Sequence, residues 1–156
     1  MRIAVAALSL VILSACSEAV EAPQPAPAPE PSPVLAGVDL SRPVRALGTE
    51  PFWGVDLTGT ELVYAGADRP EQRAPQPRPL IQGTTATYEA VTSAGTSISV
   101  MLAATECSDG MSDRTYPLSA VVRLGDETLT GCAASVAAIM TTGESGPVVE
   151  KAQPAA

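Results

Sequence analysis

From residue 44 to residue 131 the chain is written as short runs of β-branched, aromatic and aliphatic residues, each closed by a turn signal. No 3.6-residue period runs through them, so the segment is constrained to strands rather than helices. Residues 44–47, 52–57, 61–65, 84–91, 96–103, 116–124 and 127–131 are the expected strands. Thr58-Gly59, Ser93-Ala94-Gly95 and Gly125-Asp126 supply tight turns between successive pairs. Trp53, Val55 and Leu57 alternate with Gly54 and Asp56, and Leu118, Ala120, Val122 and Leu124 share one face. Residues 68–79 carry four prolines and three arginines and read as loop or edge. About seven short strands at this spacing predict an all-β domain, a small antiparallel barrel or a sandwich.

Outside that segment the composition changes. Residues 3–13 form an apolar run behind Arg2, and Leu13-Ser14-Ala15-Cys16 follows. Eleven residues rise only about 16 Å as a helix, short of the ~30 Å hydrocarbon core, so residues 1–15 are expected to be a cleaved leader. Small residues ending on a cysteine make Cys16 the expected lipidation site of a bacterial lipoprotein, with palmitate-type acyl chains as a membrane anchor. Ser17, rather than Asp, follows Cys16, which favours the outer membrane, facing the periplasm. Residues 16–37 then form a linker in which six prolines alternate with small and polar residues. Such a stretch is expected to stay disordered and extended, roughly 60 Å at ~3.1 Å per residue. The compact domain is expected at 38–133. A flexible tail is expected at 134–156, with one weakly apolar patch, 136–140, compatible with a short helix.

Charge and composition exclude whole classes of function. With Arg2 removed alongside the leader, eight basic residues face seventeen acidic ones, a formal net of −9. Such a chain lacks the basic footprint of a nucleic-acid binder and favours cationic partners. The chain has no histidine. That removes Ser-His-Asp and Cys-His catalysis, His-containing zinc sites and the commonest general base near neutral pH. No cofactor is expected. Lipidation of Cys16 leaves Cys107 and Cys132 as an even pair in an oxidising compartment, the setting for a disulfide. A redox or metal pair would call for C-x-x-C spacing or a nearby His, and neither is present. A loop of this length is worth about 3 kcal/mol in the chain-entropy model.

Two segments concentrate unusual residues. Gly48-Thr49-Glu50-Pro51-Phe52-Trp53 holds the only Phe and only Trp of the chain, and Cys107-Ser108-Asp109-Gly110-Met111-Ser112-Asp113 is followed by Arg114-Thr115-Tyr116-Pro117. Together, with Gly131-Cys132 near the end, they resemble an uncharacterised family of small bacterial periplasmic and lipoprotein domains. Its members carry G-x-E-P-F-W and C-x-D-G-M-S-D-x-x-Y-P segments. The resemblance covers residues 44–133 and implies a domain type and a disulfide, not a reaction.

Glu50, Phe52, Trp53, Asp109, Met111 and Asp113 are the candidate binding residues. As scaffold, Phe52 and Trp53 would fill the core of a domain with five aromatics, and Glu50 would satisfy turn amides. Asp109-Gly110 would build a turn with Met111 packed inward, and Asp113 would pair with Arg114 or cap the loop. Glu106, Asp109 and Asp113 could gather oxygen ligands for a hard cation, but their spacing is not that of an EF-hand.

The expected role is a non-enzymatic, lipid-anchored module that binds an envelope protein, cell-wall material or a small ligand. A lysozyme inhibitor is one version, by analogy of fold. A His-free enzyme using Glu50, Asp109 and Asp113 is the alternative, and requires these carboxylates to converge on one concave site. A brace within a larger envelope complex is a third.

Overall fold

The computed structural model describes residues 32–150. The expected leader at 1–15, the lipidation residue Cys16, most of the proline-rich linker and residues 151–156 lie outside the described residues. A two-residue pair, β1 (Val34–Leu35) and β2 (Val38–Asp39), comes first. A meander follows: β3 (Val44–Thr49), β4 (Phe52–Leu57), β5 (Glu61–Gly66) and β6 (Arg69–Pro75). Next come β7 (Leu80–Gln82), β8 (Thr85–Val91), β9 (Ser97–Ala103), and the short β10 (Cys107–Ser108) and β11 (Asp113–Tyr116). The long hairpin β12 (Leu118–Leu124) and β13 (Glu127–Ser135) leads into α1 (Val136–Thr141) and β14 (Ser145–Pro147).

Nine of these strands form one antiparallel sheet in the order β6-β5-β4-β3-β13-β12-β9-β8-β7. Its two edges, β6 and β7, are consecutive in the chain and joined only by residues 76–79. Five residue steps span at most about 18 Å, whereas the edges of a flat nine-stranded sheet would stand about 38 Å apart. The sheet therefore has to curl. At the seam the Ser93 N–H donates to the Arg73 carbonyl at 2.8 Å, and the Thr92 hydroxyl donates to Gln72 Oε1 at 3.3 Å. The result is barrel-like, a single sheet closing on itself rather than two sheets face to face.

All seven expected strands are present. The main sheet has two more, β6 and β7, at its edges. β6 buries only Ala74 and is otherwise proline and charge apart from Gln72, the composition that keeps an edge from pairing with another chain. The inward-facing residues of the sheet make one core, in which Val44, Val55, Leu62, Val100, Leu118 and Val122 are fully buried. Tyr88 also faces this core. Its hydroxyl has no hydrogen-bond partner among the described residues, and burial pushes its pKa up to about 12, so it stays neutral near physiological pH.

The domain is longer than expected at both ends. Leu35, Val38 and Leu40 join the main core, so the fold begins before residue 38. The boundary at 133 also moves, to Val148 at least. β13 is buried on both faces at its C-terminal end, with Ala133 turned into the barrel and Cys132 and Ala134 into a second cluster with Tyr116, Ala138 and Val148. That cluster is roofed by α1 and by a three-stranded sheet, β10-β11-β14, in which β14 runs parallel to β11. Two layers of cover explain why β13 ends in small residues. The Ser135 hydroxyl caps α1 by accepting from the Ala138 N–H. Arg114 holds the far end, donating to the carbonyls of Gly143 at 2.7 Å and Thr142 at 3.2 Å.

Trp53 enters the core as expected and is 5 % exposed. Phe52 does not: it is 57 % exposed. Neighbours in a strand point to opposite faces, so the inward turn of Trp53 sends Phe52 out. Trp53 pairs across strands with Gly48, and a Cβ at Gly48 would collide with its indole. A Cβ at Gly131 would collide with the Leu47 carbonyl and meet the indole at 2.9 Å. Replacing Gly131 with Ala is therefore expected to cost about 2–3 kcal/mol in chemical denaturation. Gly143→Ala, with open space around it, should stay within about 0.5 kcal/mol of wild type.

Candidate binding groove

The β3–β13 ladder ends at Leu47 opposite Cys132. Beyond that pair the ladder stops, Gly48 and Thr49 staying paired to β4 and Thr130 and Gly131 to β12, although the two backbones still touch, with the Leu47 carbonyl against Gly131. The Trp53 indole lies beneath this contact on the inner face, against the backbone of Gly48 and Gly131. Outside it lies an open groove of about 470 Å³, walled by residues 47–50 on one side and 107–111 on the other, with Thr130 and Gly131 as floor. Both unusual sequence segments thus meet along one surface, closed off by the Gly131-Cys132 step.

Three sets of bonds hold the far wall. Cys107 and Cys132 are disulfide-bonded, their Cα atoms 5.5 Å apart, which fixes the loop to β13. Thr49, on β3, donates its hydroxyl to the Asp109 carbonyl at 2.9 Å, which ties one segment to the other. The Asp109 carboxylate closes its own turn. It accepts from the N–H groups of Met111 (3.0 Å) and Ser112 (2.8 Å), the Ser112 hydroxyl (2.7 Å) and the Tyr116 hydroxyl (3.3 Å). Gly110, with φ of +71°, takes the left-handed position this turn requires. Burial pushes the Asp109 carboxyl up, but the hydrogen bonds from Ser112, Met111 and Tyr116 outweigh it and leave its pKa below the ordinary value.

The other candidates separate. Glu50 lines the groove at the β3–β4 turn, where the Glu50–Pro51 peptide is cis. It bonds no turn amide; among the described residues it has no hydrogen bond or ion pair. Phe52 is the cross-strand partner of Thr49 and stands on the same outer face. Met111 does not pack inward as expected: the Asp109 turn projects it from the wall, 66 % exposed. Asp113 neither pairs with Arg114 nor caps the loop. It is exposed in β11, opposite Ser145 and away from the groove lining. Glu106 is also outside the lining. Among the described residues no group of three or more His, Cys, Asp or Glu side chains is placed to hold a metal ion.

Thr49, Thr130 and the clamp role of Arg114 were not singled out in the sequence. Thr49 and Arg114 lie within the two unusual segments, but nothing marks Thr130. A second depression, on the outer face of β3 to β6, is lined by charges that already neutralise one another: Arg45 with Asp56, and Arg73 with Glu61 and Glu71. No described helix is long and apolar enough to cross a membrane. Compared with known proteins, the chain matches no family model, no curated protein and no solved structure.

Asp109→Ala should lower stability by about 1–2 kcal/mol at pH 7, through the turn donors it leaves unpaired. Because the folded pKa is depressed, the charge-dependent part of Asp109's contribution is complete above about pH 4 and is lost as pH falls through the folded value. Urea denaturation of wild type and variant across that range should show the gap narrowing towards acid.

Proposed function

We propose that the chain is a bacterial envelope lipoprotein, anchored through acylated Cys16, whose β-domain is a non-catalytic binding module with the groove between β3 and β13 as its ligand face. One observation carries the reading. The two segments richest in unusual residues, far apart in sequence, converge on a single open groove and project Phe52 and Met111 beside it. Exposed large apolar side chains flanking a concave surface are the pattern of a recognition site.

The non-catalytic reading rests on how the carboxylates are used. Asp109 spends its lone pairs on its own turn, and Asp113 is not part of the groove lining. Glu50 is left as the one carboxylate lining the groove without a partner, whereas paired-carboxylate chemistry needs two.

The sole tryptophan backs the groove floor, so its fluorescence is a built-in reporter. A fragment screen on the purified full chain in detergent should yield ligands that change Trp53 emission and shift the backbone amide resonances of Thr49, Gly110 and Gly131. Ligands that shift only residues on the far side of the barrel would contradict the assignment. Mass spectrometry of the chain from bacterial membranes should show acyl chains on Cys16, and an unmodified Cys16 would remove the anchor from the account.

A further inference from the structure

Resting on the groove as ligand face, we infer that its occupant is a basic, apolar-flanked loop of a protein partner. An Arg or Lys of that loop lies against Glu50, with apolar neighbours on Phe52 and Met111.

The charge distribution argues for a cation. No Lys or Arg lines the groove. The described cations are largely consumed within the chain: Arg42, Arg45, Arg69, Arg73 and Arg114 each lie against a carboxylate. The described residues contain no lysine. Glu50 lines one wall of the groove; Glu106 and Asp113 lie outside the lining and add only to the general negative field. None of the three has a partner among the described residues. The whole chain carries a formal net of −8. A cationic loop would be drawn in by the long-range field and find an unpaired carboxylate at the groove.

The shape argues for a polypeptide. In the groove floor the exposed groups are main chain, with Gly48 and Gly131 set where the two backbones touch and the β3–β13 ladder stops, and the groove stays open above them. Phe52 and Met111 project at its rim, and Met adapts readily to varied apolar partners. A glycan would use polar side chains and a stacking aromatic on the floor; here the floor is threonine and glycine.

The experiment sets two classes of ligand against each other on the full chain in detergent. One arm selects disulfide-closed random heptapeptides by phage display. The other titrates soluble muropeptides from digested peptidoglycan. Both are read by Trp53 fluorescence and amide shifts. The selected peptides should be enriched in Arg or Lys beside an apolar residue, and their binding should weaken as salt is raised. Glu50→Gln should weaken them about three- to five-fold, the worth of one exposed ion pair, and Phe52→Ala about ten-fold. Glu144→Gln, beyond α1, should leave affinity unchanged. Groove-bound peptides without basic enrichment would overturn the partner chemistry and leave the groove assignment standing. Muropeptides binding more tightly than any peptide would overturn the partner class. No groove-bound ligand in either arm would overturn both readings.

Discussion

The four residues between β6 and β7 constrain everything else in this fold. They join the opposite edges of a nine-stranded sheet, and no flat arrangement lets so short a connection reach. Once the sheet curls, its inward faces make a core from alternating residues of moderate size. A domain with five aromatics can then bury enough apolar surface to stand alone. The curl also removes one long exposed edge, and proline and charge on β6 guard what remains.

The groove follows from how the sheet is covered on the outside. β13 carries a packed layer on both faces at its C-terminal end, and the disulfide from Cys132 draws the Cys107 loop onto it. Trp53 occupies the inner side where the β3–β13 ladder stops, a position open only because Gly48 and Gly131 lack side chains. Wedge, disulfide and the Asp109 turn together make a rigid recess from what would otherwise be a loop over a strand. That rigidity matters for binding, because a preformed surface loses less entropy on capture of a partner.

Much of the fold was legible. Short β-branched, aromatic and aliphatic runs closed by turn signals, with period-two alternation in two of them, located all seven of the inner strands, and the cysteine arithmetic identified the bonded pair. β6 was legible only as loop or edge, because an edge strand buries one face at most and shows prolines where a central strand shows valines. The packing of residues 134–148 escaped for a different reason. A short helix is compatible with 136–140 and is present as α1, but the small residues at the end of β13 are covered on both faces, a condition that leaves no periodic signal to mark the segment as part of the domain. Phe52 and Met111 were expected in the core by aromatic scarcity and apolar character. Strand alternation and turn geometry placed both outside. The two segments that build the groove could be recognised separately, but nothing in the sequence brings Thr49 to Asp109, 60 residues on. The register of β3 against β13 and the Cys107–Cys132 bond together do that.

The most direct measurement is photocrosslinking in living bacteria, with a benzophenone amino acid placed at Met111 on the groove rim or at Glu89 on β8, outside the groove lining. Discrete protein adducts from position 111, lost when Glu50 is replaced with Lys, are the predicted result. Adducts from position 89 alone, or from both positions regardless of Glu50, would contradict the groove as the face this domain presents.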